Sequence, residues 1–200
     1  MIRVFIAEDQ RMLLSALGTL LNMEEDIEII GCASNGKEAI DSMKRLQPDI
    51  SLIDIEMPVK NGLEVAEEIK SFQPACKVII LTTFARPGYF QRAVKIGVQG
   101  YLLKDGSIEE LAAAIRAIMK GERVFSPELM LDIIREENPL TAREQEILSL
   151  AAEGKTTNEL TQHLFLSSGT IRNYMSEIIQ KLGAKNRIEA ISIAKGKGWI

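Results

Sequence analysis

The sequence predicts an α/β domain with a doubly wound, five-stranded parallel sheet, followed by a smaller all-α domain with a helix-turn-helix. Three observations carry this. Apolar β-type runs and helix-patterned stretches alternate five times over residues 1–120. The run ISLID at 50–54 is apolar on both sides of its alternation, as a strand covered on both faces would be. Beyond residue 138 come four compact helical patterns with start and stop signals.

The strands are expected at 2–7, 27–33, 50–54, 77–82 and 98–103, and the helices between them at 10–23, 36–46, 61–72, 87–96 and 107–120. The last helix opens with a capping box, Ser107 to Glu110. Residues 121–139 read as a linker with a short helix, in which Ser126–Pro127 supplies an N-cap and first turn and Pro139 the stop. In the second domain, 140–200, Thr141/Glu144, Thr156/Glu159 and the weaker Asn186/Glu189 are capping boxes, and Gly154 and Gly183 are natural stops. They place helices near 141–153, 157–164, 168–182 and 187–196, with FLSS as the tight turn.

Apolar residues make up 46% and charged residues 26% of the chain, the balance of a soluble globular protein. No apolar run approaches the roughly 20 residues of a membrane span, and the N-terminus lacks a signal-peptide core, so a cytoplasmic location is expected. Two cysteines without ligand spacing read as reduced packing residues, and a lone His163 excludes a His-rich metal site or a Ser/His/Asp triad. The net charge of −4 is uneven: from Asn138 onward 8 Lys/Arg face 6 Asp/Glu, leaving 16 against 22, or −6, for residues 1–137. Residues 170–200 alone carry +4, six Lys/Arg against two Asp/Glu. Two domains with different partners are implied.

In a flavodoxin-like sheet of order 2-1-3-4-5, sites form at the carboxyl ends of the strands, in the crevice between strands 1 and 3. The strand ends here offer Glu8 and Asp9, then Asp54, Thr82 and Lys104. Three carboxylates suit Mg²⁺, which prefers partial oxygen cages and keeps several waters. With its charge offset by the metal and Lys104, Asp54 can act as a nucleophile towards phosphorus, and Thr82 and Lys104 can hold the phosphoryl oxygens. Helices 10–23 and 107–120 carry more apolar or small positions than one inward stripe needs. Leu13, Leu17, Ala113 and Ala117, with Ala112, therefore read as a contact face for a homodimer.

In the third helix of the second domain, Ile171, Met175, Ile178 and Leu182 form one buried stripe. Arg172, Asn173, Ser176 and Gln180 face away, with chemistry suited to base edges, while Lys181, Lys185 and Arg187 suit phosphates.

Residues 1–120 resemble the receiver domain of two-component response regulators in the AED pair, the DIEMP stretch, Gly62, the LT at 81–82 and the GYLLKD run. The resemblance implies phosphorylation of Asp54 by a membrane histidine kinase, Mg²⁺ held by Glu8, Asp9, Asp54 and the Glu56 backbone carbonyl, and Tyr101 as the aromatic that moves inward on activation. Residues 139 to 198, from PLTAREQ to AKGKG, resemble the DNA-binding domain of the LuxR/NarL/FixJ class. That likeness implies double-stranded DNA as partner, Arg172, Asn173 and Ser176 in the major groove, a phosphate contact for Tyr174 where many members have His, and a dimer surface on the fourth helix. IAEDQ, DIEMP, LTTFARPGYFQRA, SGTIRNY and the terminal GW resemble a subgroup associated with membrane-lipid desaturase expression.

Two other readings fit parts of the chain. A phosphatase using Asp54 would leave residues 138–200 without a role, and a constitutive DNA-binding protein would leave the acid, Thr and Lys set unexplained. The sequence departs from the receiver pattern at Thr83, where a small residue is usual, and at Pro87–Gly88, which stand where the fourth helix should begin. The bulk of Thr83 and Phe84 is expected to alter water access to Asp54. A Thr83→Ala variant should therefore change the dephosphorylation rate, and a rate equal to wild type would remove the idea.

Overall fold

The computed structural model describes residues 1–83, 86–127 and 138–200. The chain divides into two compact units, one holding the sheet and its helices and one holding the four C-terminal helices. The first runs β1 (Ile2–Ala7), α1 (Arg11–Leu21), β2 (Ile27–Ala33), α2 (Gly36–Leu46), β3 (Ile50–Asp54), α3 (Gly62–Phe72), β4 (Lys77–Thr82), α4 (Pro87–Ile96), β5 (Gly100–Leu103), α5 (Ile108–Met119) and β6 (Val124–Phe125).

All pairings are parallel and the order is β2-β1-β3-β4-β5-β6. The expected order 2-1-3-4-5 is present and extended by one strand. Every residue of β3 is buried, as its unbroken apolar pattern requires. Val4, Ile6, Leu52 and Ile79 of the sheet pack with Ile115 and Ile118 of α5. At roughly 25 cal/mol per Å² of apolar surface, such burial is the main stabilising term of the unit.

Caps fix where the helices begin. Ser107 and Glu110 close the expected box at α5, and Asn61 and Glu64 form another at α3. Gly62, just inside α3, touches the backbone of the strand before it: a Cβ there would lie 2.1 Å from the Asp54 carbonyl oxygen.

The short strand β6 lies inside the segment read as linker. Its pairing with β5 matches Gly100 to Val124 and Tyr101 to Phe125. The Val124 N–H donates to the Gln99 carbonyl at 3.0 Å and the Ser126 N–H to the Tyr101 carbonyl at 3.0 Å. Phe90 of α4 stacks edge-to-face on Tyr101 and on Phe125, with ring centroids 5.1 and 5.3 Å apart. Two residues are too few to show a period of two, which is why no alternation announced the strand. The expected linker helix and Phe84 lie outside the described residues.

The second unit contains α6 (Ala142–Ala152), α7 (Thr157–Leu164), α8 (Ser168–Lys181) and α9 (Arg187–Gly196). Ile147, Leu148, Leu160, Ile171, Ile178, Ala190 and Ala194 form its core, and Met175 and Leu182 pack against it, as the stripe on α8 predicts. Thr141 and Thr156 make reciprocal boxes with Glu144 and Glu159. At α9 the cap is one-sided: Asn186 accepts the Glu189 N–H, while the Glu189 carboxylate takes the Lys185 N–H at 2.6 Å. No described helix is long and apolar enough to cross a membrane.

Val59, in the loop after β3, has φ 71° and is 75% exposed. A β-branched residue in the left-handed region is strained. Asparagine tolerates that conformation, so Val59→Asn should stabilise the receiver by about 1 kcal/mol. A urea midpoint at or below that of wild type would contradict this.

Candidate functional site

The parallel sheet delivers four side chains to one edge because each terminates or directly follows a strand: Glu8 follows β1, Asp54 ends β3, Thr82 ends β4 and Lys104 follows β5. All four are largely buried, whereas Asp9, the next residue after Glu8, is exposed. The Lys104 ammonium lies 2.7 Å from Glu8 Oε2 and 3.0 Å from Asp54 Oδ1. Its backbone N–H donates to the Thr82 carbonyl at 2.8 Å, tying the ends of β4 and β5 together.

The electrostatics follow from burial. Desolvation pushes the Asp54 carboxyl above its ordinary range, against the pull of Lys104 and of a backbone hydrogen bond from Glu56. Glu8 is raised for the same reason, again opposed by Lys104. Burial acts to lower the Lys104 ammonium, yet the two carboxylates together outweigh it and hold its pKa above the usual lysine value.

Carboxylate oxygens of Glu8, Asp9 and Asp54 all lie within 4.8 Å of one another. Three carboxylates against one ammonium leave the cluster negative, and Asp9 opens it to solvent. Such a donor set fits a hard divalent cation.

Glu56 is exposed beside Asp54. Tyr101 is fully buried, three residues ahead of Lys104, and Thr83 is exposed next to Thr82.

On α8, Arg172, Asn173, Ser176 and Gln180 are exposed, opposite the buried Ile171 and Ile178. Lys185 is also exposed. Tyr174 is half-buried and packs on the core of its unit. Two cations that read as phosphate ligands have partners within their own unit. Lys181 binds both carboxylate oxygens of the buried Glu144, at 2.8 and 2.7 Å. Arg187 donates to the carbonyls of Ala151 and Lys155, capping the end of α6. Sequence shows charge but not the partner that occupies it.

On the proposed dimer face, Ala113 is exposed, Ala117 half-exposed, and Leu13 and Leu17 half-buried. Ala112, which read as outward, is buried instead. Leu13 and Leu17 line a cavity of about 570 Å³ with Leu20, Leu111 and Val124. β6 contributes to that wall, and no sequence signal indicated it.

Residues 4–116 match the response regulator receiver domain, and residues 138–194 match the bacterial regulatory proteins of the luxR family. This chain belongs to the LuxR-family response regulators. The regulator is 66% identical over 200 residues, all of both chains, to the uncharacterized transcriptional regulatory protein YvfU of Bacillus subtilis. It is 60% identical to the transcriptional regulatory protein DesR of the same organism, over 100% of this chain and 99% of the other. A DNA-binding response regulator of the LuxR family from Staphylococcus aureus is 43% identical, with a TM-score of 0.58, over 60% of this chain and 99% of that one.

The raised Asp54 pKa fixes the sign of a stability change. The folded state prefers the neutral carboxyl, so this contribution is fully present below the ordinary value of 3.8 and is lost as pH rises through the folded pKa. In metal-free buffer at neutral pH, Asp54→Asn should raise the receiver's Tm, and the gap should close towards pH 3.8. A variant equally or less stable at neutral pH would show that the Lys104 contact outweighs the burial.

Proposed function

We propose that the regulator is a phosphorylation-activated transcription factor. It takes a phosphoryl group from a membrane histidine kinase onto Asp54, dimerises through its receiver and binds promoter DNA as a dimer. The observation that carries this is the buried Lys104 ammonium shared between Glu8 and Asp54 at 2.7 and 3.0 Å. A carboxylate so held is oriented and partly neutralised without losing its nucleophilic oxygen.

In the transfer, an Asp54 carboxylate oxygen bonds to phosphorus as the phosphorus–nitrogen bond of the kinase phosphohistidine breaks, leaving an acyl phosphate and the kinase imidazole. Lys104 and the Thr82 hydroxyl receive the phosphoryl oxygens, so the chain contributes chiefly position and charge. Glu8, Asp9, Asp54 and the Glu56 backbone carbonyl would hold Mg²⁺, which supplies charge neutralisation to the transferring group. Tyr101, fully buried against Phe90, couples the Thr82 and Lys104 end of the sheet to the outer face of β5. The dimer forms through Leu13, Leu17, Ala113 and Ala117.

Arg172, Asn173 and Ser176 read base edges in the major groove, with Tyr174 and Lys185 at the phosphate backbone. Symmetry then predicts two half-sites about one helical turn apart or a multiple of it. The likeness to DesR supports membrane-lipid desaturase genes as targets. The setting is the cytoplasm, where kinase and promoter are both accessible.

Treated with acetyl phosphate and Mg²⁺, the wild-type chain should gain one phosphoryl group by intact mass. Asp54→Ala should gain none, and chelator should abolish the adduct. The phosphorylated chain should sediment as a dimer, and Ala113→Glu should keep it monomeric while leaving the adduct unchanged. No adduct on wild type, or a dimer unaffected by Ala113→Glu, would contradict the respective half of the proposal.

A further inference from the structure

Helices α6 and α8 each end in a glycine with positive φ, Gly154 at 90° and Gly183 at 61°. At the end of α7 the corresponding residue is Phe165, with φ 55° and ψ 40°. Glycine or asparagine is usual in such a cap, because a bulky side chain is strained there. The phenylalanine ring is also 92% exposed, so the fold recovers nothing by burying it.

The turn that carries the ring is firmly held. The Thr161 carbonyl accepts the N–H groups of Phe165 and Leu166. Arg143 donates to the Leu164 carbonyl at 3.1 Å, and Leu164 and Leu166 on either side pack into the core. A fixed backbone therefore presents one apolar ring to solvent, two residues before Ser167, the N-cap of α8. In helix-turn-helix proteins the amino-terminal part of the second helix approaches the base edges. The segment that follows, residues 170–200, carries +4, six Lys/Arg against two Asp/Glu, so its charge suits duplex DNA.

We propose that Phe165 is a DNA contact, resting its ring on apolar surface of the duplex: a thymine methyl group or the deoxyribose beside it. This rests on the DNA-binding reading above. It adds an apolar contact from the turn to the polar readout by α8, and would favour a thymine at one position of each half-site.

The test uses the full chain phosphorylated with acetyl phosphate and Mg²⁺, and a duplex enriched by wild type from a randomised pool. Phe165→Asn keeps a residue that tolerates the cap conformation and should leave Tm unchanged or higher. Its affinity for the enriched duplex should fall about four-fold, the scale of burying one methylene-sized apolar group. Replacing each thymine in turn by deoxyuridine removes only the methyl group. If the methyl is the site, one such replacement weakens wild type and leaves Phe165→Asn unaffected. If the sugar is the site, the gap between the two proteins persists on every duplex.

Equal affinity of wild type and Phe165→Asn for the enriched duplex overturns the contact while leaving the DNA-binding reading intact. Failure of wild type to enrich any duplex overturns both. Equal DNA affinity with transcription by RNA polymerase lost in Phe165→Asn would assign the ring to a protein partner and likewise overturn the proposal.

Discussion

One ammonium group, that of Lys104, holds together a site that would otherwise repel itself. Glu8 and Asp54 are 1% and 4% exposed, and two buried carboxylates without a cation would cost several kcal/mol. Lys104 reaches both, and its backbone ties β5 to Thr82 of β4. The compensation is incomplete, since both carboxyls remain above their ordinary pKa range. A stability-optimised sheet edge would carry fewer acids. The uncompensated charge suits the edge to a hard cation, whose own charge would favour the ionised carboxylates.

Much of this edge was legible in the sequence because the backbone alone determines it. In a parallel sheet, the residue after each apolar run must emerge at the same side, so Glu8, Asp54, Thr82 and Lys104 converge whatever their rotamers. Helix starts were equally readable at Ser107, Thr141 and Thr156, where a local hydrogen-bond exchange is encoded within four residues. What could not be read depends on contacts between distant segments. Lys181 and Glu144 are 37 residues apart, and Arg187 reaches carbonyls of Ala151 and Lys155. Periodicity places a lysine on a face but is silent about which acid lies beneath it. The same limit explains Ala112, whose small side chain fits either surface or core.

The C-terminal unit uses polar contacts for rigidity in a small core. Glu144 shares the α6 cap with Thr141 while it neutralises Lys181 at the end of α8, so one buried carboxylate fixes the start of one helix against the finish of another. Its pKa lies below the ordinary value even though burial pushes it upward, because Lys181 and the Thr141 donors outweigh that push. This differs from the receiver edge, where burial prevails.

The strand β6 bears on how the receiver behaves when separated from the rest of the chain. An uncovered strand edge is a template for pairing with other chains. Val124 and Phe125 cover part of the β5 edge, and their brevity leaves little ladder for a neighbour to extend. A receiver cut after α5 would expose the amide row of β5 together with the apolar flanks of Phe90 and Tyr101. Such a fragment would be prone to self-association and aggregation. Retaining the chain through Ser126, whose hydroxyl accepts the Leu103 N–H at 3.3 Å, would keep the edge sealed.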